Sequence, residues 1–524
     1  MNFTKEQQKA IDIRERNLLV AAAAGSGKTA VLVNRILKIV TEGEHPADID
    51  RLLVMTFTKA AAAQMRERIE TALQEKLDGD PFNEHLQKQM ILIHTADITT
   101  IDSFCMSVLR NHFSEIDLDP AFRVADEGEL KLMRQDILEK VLEEAYQEKT
   151  ESFLSFIESF SAKKNDVNVI EAVEQLYQYS QSKPFPGFWL DSCDGNYQFD
   201  SEEELLSKPF MQEIFVRMQE NMQEILRYAK QNLSLCLAEG GPYMYEKAVR
   251  SDLASIEYLA RCKNIQELGR GFATLTYETL SRKSDPQVDI RKKEEVKSIR
   301  ASIKKMLETV KNRYFYTDLS QMAADMAACR RNAEELVRLT RRFSQEFTQA
   351  KRKKNIVDFG DLEHLALEIL LEELPDGGYG PSHTALEYRD FYEEILVDEY
   401  QDSNMVQEYL LNAVSKEENG RRNLFMVGDV KQSIYKFRLA CPEIFMEKYD
   451  AYETHEEAEG DLRIDLHQNF RSRREVIDTV NFIFSQLMQK EVGELHMMRR
   501  QRLLRAQISE SLRAERSLMR VSFC

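Results

Sequence analysis

The chain has 524 residues, 31% of them charged and 43% hydrophobic, a balance that excludes a disordered or membrane-embedded protein and, at this length, a single compact core. A formal net charge of −18 excludes a uniformly basic coat for nucleic acid but not a locally basic groove, because whole-chain charge averages over surfaces that never meet a ligand. The polar N-terminus MNFTKEQQKA has no signal-peptide core, and the cysteines (Cys105, Cys193, Cys236, Cys262, Cys329, Cys441, Cys524) include no close pair suited to zinc or an iron–sulfur cluster, so a cytoplasmic protein with reduced thiols is expected.

The first hundred residues alternate strand and helix signals. NLLVAA reads as a buried strand, followed by a Gly-rich turn and a helical pattern over 28–40; RLLVMTF repeats the strand, and a second helix runs through Leu77. This is the rhythm of a parallel sheet covered by helices. The segment AAAAGSGKT, residues 21–29, falls between strand and helix, where backbone N–H groups and the positive end of the helix dipole cradle phosphates. Gly25 and Gly27 let the backbone approach an anion, with Ala22, Ala23, Ala24 and Ser26 completing the loop. Lys28 is placed to reach β- and γ-phosphates and Thr29 to hold Mg²⁺, although Ala22 stands where the P-loop pattern has its first Gly. An Ala-rich helix closing on a Gly turn is the competing reading, and it does not account for the strand before the loop.

From about 120 to 350 the chain is rich in Glu, Lys, Gln, Leu and Met with few turn formers, which predicts a helical segment inserted into an α/β unit. Within it RKKEEVKSIRASIKKMLETVKNR reads first as a solvated face and second as a DNA-facing helix. Strand signals then return in YEEILVD, NLFMVGD and LRIDL. The run EEILVDEYQD turns acidic where the apolar strand stops, placing Asp398 to bind Mg²⁺ through water and Glu399 to orient an attacking water. Together with the phosphate loop this predicts nucleotide hydrolysis. From Leu495 onward the chain has many Arg and no Lys, an abrupt shift that reads as translation out of frame in preference to a basic helix for nucleic acid.

The blocks FTKEQQKAI, AAAAGSGKT, TFTKAAAAQMRERI, ITTIDSFC, LVDEYQDSN, VGDVKQSIYKFRLA and LHQNFRS stand in the order and spacing of UvrD/Rep-type superfamily 1 helicases, which the chain resembles over residues 1–494. TFTKAAAAQM is similar to the RecB and AddA branch, and NHFSEIDLDPAFRVADEGEL and SKPFPGFWLD to the AddA-type components of bacterial AddAB/RexAB helicase–nucleases. The resemblance implies an α/β fold. A RecA-like P-loop motor domain, a parallel sheet with helices on both faces, would occupy 1–118 and 352–455; a mainly helical domain would be inserted over 119–351, a second motor domain would begin over 456–494, and an atypical tail would follow over 495–524. It further implies ATP and Mg²⁺ as cofactors, partners in single-stranded DNA, duplex-end DNA and an AddB/RexB-type protein, and a 3′→5′ helicase motor that processes double-strand ends for recombinational repair.

Residue by residue, the resemblance assigns Gln7 to the adenine edge and Arg35 and Phe470 to the two faces of the base. Gln432 becomes a γ-phosphate sensor and Arg471 an arginine set against the γ-phosphate. Phe57, Thr58 and Lys59 would hold DNA backbone and base, and Tyr435 and Phe437 would stack bases. Ordinary core packing is the competing reading for Phe57 and Phe437. Asp102 stands where many relatives have His. Neither the later helicase motifs nor an AddA-type nuclease domain follows Leu495, so a truncated chain is expected. Two alternatives remain: an ATP- and DNA-binding module without motor activity, and a stand-alone UvrD-like helicase, against which the AddA-like stretches speak.

Overall fold

Six short runs assemble into one parallel sheet: β1 (Leu18–Ala22), β2 (Leu52–Thr56), β3 (Asp97–Thr100), β4 (Glu394–Val397), β5 (Leu424–Gly428) and β6 (Leu462–Leu466), in the spatial order β6-β1-β5-β4-β2-β3. The computed structural model describes residues 3–160, 165–375, 377–416, 422–457, 460–487 and 504–505. Strands β2, β4 and β5 are buried at every position, as expected of parallel strands covered on both faces. Successive side chains serve opposite layers. Leu18, Val20, Val54, Phe425 and Val427 pack under α2 (Lys28–Thr41) and α3 (Lys59–Gly79), whereas Leu19, Leu53, Met55, Ile395 and Val397 pack against the helices Ile101–His112 and Phe359–Leu370.

Strands of this sheet come from both sides of a long helical insertion. The chain leaves and re-enters through a two-stranded neck, where Arg123–Val124 pairs in parallel with Ile356–Val357. Inside the insertion the helix Leu319–Lys353 spans 35 residues, roughly 50 Å at 1.5 Å per residue. One end joins a core with Met222, Leu259 and Leu307, and the other a core with Leu138, Phe153 and Val173, so one helix ties two cores together. At its root the buried Lys351 ammonium lies 2.7 Å from both Asp358 and Asp361, which cap the next helix. The basic block forms the helix Ile290–Tyr314, whose Val296, Ile303, Leu307 and Val310 face the core, with buried Arg300 Nη2 donating to Asp252 Oδ1 at 3.0 Å.

The structure corrects one boundary. LRIDL, expected to begin a second motor domain over 456–494, is instead the edge strand of this sheet, in parallel register with β1 from Leu18↔Leu462 to Ala22↔Leu466. The physical reason is its alternating burial: Leu462, Ile464 and Leu466 complete the layer containing Leu18 and Val20, while Arg463 and Asp465 are only partly buried, the pattern of a half-covered edge. The helix Arg474–Leu487 then packs through Ile477 on Ala23 of the glycine-rich loop. Of the tail over 495–524, only Leu504–Arg505 is among the described residues, paired in parallel with Gln468–Asn469; the rest, Cys524 included, lies outside them. The other six cysteines form no disulfide among the described residues.

Candidate nucleotide and nucleic-acid site

The candidate residues gather at the carboxyl ends of neighbouring strands, the edge at which open α/β sheets bind ligands. After β1 the chain turns through Gly25 (φ +72°) and Gly27 (φ +84°), left-handed positions that favour glycine, and enters α2 at Lys28. Gly27 offers no side-chain cap, so the amides of the first turn are left for an anion. Ser26 Oγ is buried without a hydrogen-bond partner among the described residues, in a loop whose expected ligand is rich in acceptor oxygens. Gln7 braces this loop from α1 (Lys5–Asp12): its Oε1 accepts the Thr4 N–H at 2.9 Å and its Nε2 donates to Ser26 O at 2.8 Å, leaving one amide hydrogen for a base edge.

Opposite the loop, β4 ends at Val397 and the acids follow at once. Glu399 takes φ +53°, a left-handed conformation that costs a non-glycine residue about 1–3 kcal/mol and recurs where a site dictates backbone direction. Its carboxylate accepts the Lys28 ammonium at 2.8 and 2.9 Å. Burial, and then the charge of Glu399, push the Asp398 carboxyl up to about 6, against the opposing pull of Lys28. No three His, Cys, Asp or Glu side chains among the described residues form a metal cage. Asp398 at the end of β4 and Thr29 in the first turn of α2 offer oxygen donors of the kind that Mg²⁺ takes when phosphate oxygens and water complete its shell.

A carboxyl moved from 3.8 to about 6 destabilises the folded anion by roughly 3 kcal/mol at neutral pH. Because the folded value is raised, this cost is absent in strong acid, grows as pH climbs through the window between those values and is complete above it. Asp398→Asn should therefore stabilise the ligand-free protein by about 1–3 kcal/mol at pH 7.5, with the gain shrinking toward pH 4. Urea melts at several pH values test this, and an Asn variant less stable than wild type at pH 7.5 would contradict it.

A third wall comes from the segment after β6. Asn469 Nδ2 donates to Ala24 O at 2.7 Å, its Oδ1 accepts the N–H groups of Arg471 and Ser472, and the Phe470 N–H donates to Gly25 O at 2.9 Å. A Cβ on Gly25 would lie 2.7 Å from Asn469, so the glycine is required by this docking. Arg471 thus leaves the backbone beside the phosphate loop, exposed. Gln7, Ser26 and Phe470 line one cleft of about 440 Å³, within the roughly 300–1,000 Å³ usual for small-molecule sites.

Arg35 does not join them. It is 1% exposed, paired with Glu394, donates to Ala10 O at 2.7 Å and lies 4.5 Å over the Phe425 ring. Seven residues beyond Lys28 it sits about 10 Å up α2, too far along the helix to face a base bound at its start. Its expected place on the adenine is corrected to a structural one beneath the sheet.

Along the same strand edge lies an exposed aromatic group. Phe57 and Tyr435 have ring centroids 4.6 Å apart, Tyr435 and Phe437 6.0 Å, and the Arg438 guanidinium lies 5.5 and 5.6 Å from the latter two rings. Phe437 is 76% exposed and Phe57 38%, so neither is a core residue. Thr58 caps α3, accepting the Ala61 N–H, and Lys59 opens that helix.

The sequence reading missed Gln401, Asp429 and Asn469. Gln432, expected at the γ-phosphate, donates its amide to Asp429 Oδ2 at 2.9 Å, and Asp429 also pairs with Lys431 at 2.6 Å. Their only signal was membership of the blocks DEYQD, GDVKQS and QNFRS, since a buried polar side chain carries no periodicity.

Residues 3–453 match the family of the UvrD/REP helicase N-terminal domain. The chain is 45% identical over 497 residues to the A subunit of the ATP-dependent helicase/nuclease of Lachnoclostridium phytofermentans, covering 94% of this chain and 36% of that protein. Proteins with the same name from Geobacillus kaustophilus (43% over 497 residues) and Clostridium perfringens strain SM101 (42% over 496 residues) are covered to 40% and 39% of their length, again by 94% of this chain. The chain therefore spans 36–40% of the length of these curated relatives.

Proposed function

The chain belongs to the UvrD/REP helicase family, and from that premise we propose that it is an ATP-driven motor that grips single-stranded DNA and acts on duplex ends. The observation that carries this reading is the placement of a phosphate loop, a strand-end acid pair and an exposed aromatic platform along the carboxyl ends of β1, β4, β5 and β2, within one sheet. Lys28, held by Glu399 in the absence of nucleotide, exchanges that ion pair for one with the nucleotide phosphates. That exchange frees Glu399 to orient water. Thr29 and Asp398 hold Mg²⁺, which supplies charge neutralisation on the phosphates. Arg471 reaches the transferred phosphate from the wall formed after β6, and Gln432 reports its presence to the platform.

Phe57, Tyr435 and Phe437 stack bases, and Thr58 and Lys59 hold the backbone; stacking reads no sequence, which suits a translocase. Likeness to proteins named for a helicase/nuclease supports a larger role: a 3′→5′ motor that works with an AddB/RexB-type partner on double-strand ends during recombinational repair, in the cytoplasm. No helix among the described residues is long and apolar enough to cross a membrane.

The test is ATP turnover by the purified chain with and without single-stranded DNA. Stimulation by DNA supports the motor reading. Binding of both ligands without stimulation would favour the module without motor activity, and failure to bind either would refute the assignment. In the same system Phe437→Ala should weaken single-stranded DNA binding by about 1–3 kcal/mol on every homopolymer tried. A loss confined to one base would point to an edge contact instead.

A further inference from the structure

We propose that Gln401 is a positioning residue that couples the nucleotide site to the aromatic platform, a deepening that rests on the motor reading above. Gln401 is 1% exposed, on the short turn Tyr400–Asp402 just past the acid pair. Its amide is fully engaged in two directions. Nε2 donates to Glu399 Oε2 at 2.9 Å and to Asp402 Oδ2 at 3.1 Å, while Oε1 accepts the backbone N–H of Asp429 at 2.9 Å. One side chain therefore bridges the end of β4 to the end of β5.

Each end of the bridge matters to a different ligand. On the β4 side, Glu399 has a left-handed backbone, and its side chain is held among the described residues by Lys28 and Gln401. When Lys28 turns to phosphate, Gln401 is the remaining donor that keeps the carboxylate aimed. On the β5 side, Asp429 ties down Gln432 and Lys431, and the turn Val430–Gln432 leads within a few residues to Tyr435 and Phe437. A shift of this turn caused by bases on the platform moves the Asp429 N–H, and through the Gln401 amide it moves Glu399.

The packing leaves no slack. A Cβ on Gly428 would lie 2.4 Å from Gln401 Oε1 and 3.2 Å from Gln401 N, so the residue before Asp429 is a glycine because the glutamine occupies that space. A buried amide with donor and acceptor both satisfied is a stiff link, since releasing either bond strands a polar group away from water.

The test compares the wild-type chain with Gln401→Met, which keeps length but forms neither bond, and Gln401→Asn, which keeps an uncharged amide but is one methylene too short to span from Glu399 to the Asp429 N–H. Affinities for Mg·ATPγS and for a dT oligonucleotide are measured separately and then together, with turnover alongside. In the wild type, nucleotide should change DNA affinity by a factor in the range of about 5 to 150 typical of coupled sites. In both variants the separate affinities should stay within about threefold of wild type while that factor falls below about two, and kcat should drop with KM for ATP unchanged. Retained coupling in either folded variant, equal loss of both separate affinities, or unfolding of both variants would each overturn the proposal, the last by marking Gln401 as a residue of stability alone. A wild type that binds both ligands without coupling would also overturn it, whereas a wild type that binds neither would refute the motor reading instead.

Discussion

Lys28→Ala is expected to raise the Kd for Mg·ATP by about 30-fold to several thousand-fold, the range that corresponds to the 2–5 kcal/mol lost when one partner of a hydrogen-bonded charge pair is truncated. Lys28 is the cation that faces the acid pair and the one that the loop presents to phosphate. The variant leaves Glu399 without its ammonium and Asp398 without its opposing charge, so the emptied site repels the anionic ligand as well as failing to attract it. The fold should survive, because α2 is held by Val31, Leu32, Ile36 and Val40 in the layer beneath the sheet. Nucleotide titration with circular dichroism checks both halves. Unchanged affinity in a folded variant would mean that residues 21–29 are not the phosphate site.

Glu399→Gln should separate binding from hydrolysis. Loss of the carboxylate that orients water is expected to lower DNA-stimulated kcat by about 10²–10⁴-fold, the usual contribution of a positioned base. Affinity should move the other way. In the ligand-free protein Glu399 competes with phosphate for the Lys28 ammonium at 2.8 Å, and removing that competitor frees the lysine. A charged hydrogen bond is worth about 1.5–3 kcal/mol, and the partial exposure of Glu399 reduces this, so a rise in Mg·ATP affinity of about three- to thirtyfold is expected. Single-turnover and equilibrium measurements distinguish the two effects. If kcat and affinity fell together, the ion pair would be a support of the site and not a competitor for the nucleotide.

Much of the candidate site was legible because it lies where local chemistry and chain direction coincide. The glycines at 25 and 27 sit between an apolar run and a helix, and the acids at 398 and 399 begin where another apolar run ends; both patterns need only neighbours in sequence. Phe57 and Phe437 were ambiguous, since an aromatic residue after a strand reads equally as core, and only their exposure and mutual contact with Tyr435 removed the ambiguity. Arg35 was misread for a related reason. Sequence position places a residue on a helix, but whether its guanidinium faces a ligand or a buried carboxylate depends on Glu394, which lies 359 residues away.

The sequence by itself determined the class of the protein: parallel strands, because their apolar runs are continuous; a helical insertion, because turn formers are few over more than two hundred residues; and a candidate phosphate loop, because glycine, lysine and threonine stand in the required order. Tertiary structure decided which strand joins which sheet and which polar side chains meet. LRIDL carries the same apolar pattern whether it opens a new sheet or closes an old one, and pairing with Leu18–Ala22 settled the matter by offering a matching layer beside β1. Gln401 looks like any other polar residue in its block, and it bridges the two strand ends only because β4 and β5 are neighbours in space, with Gly428 leaving room for its amide. Periodicity reports a residue's face, and a hydrogen bond between distant segments depends on a juxtaposition that no local pattern encodes.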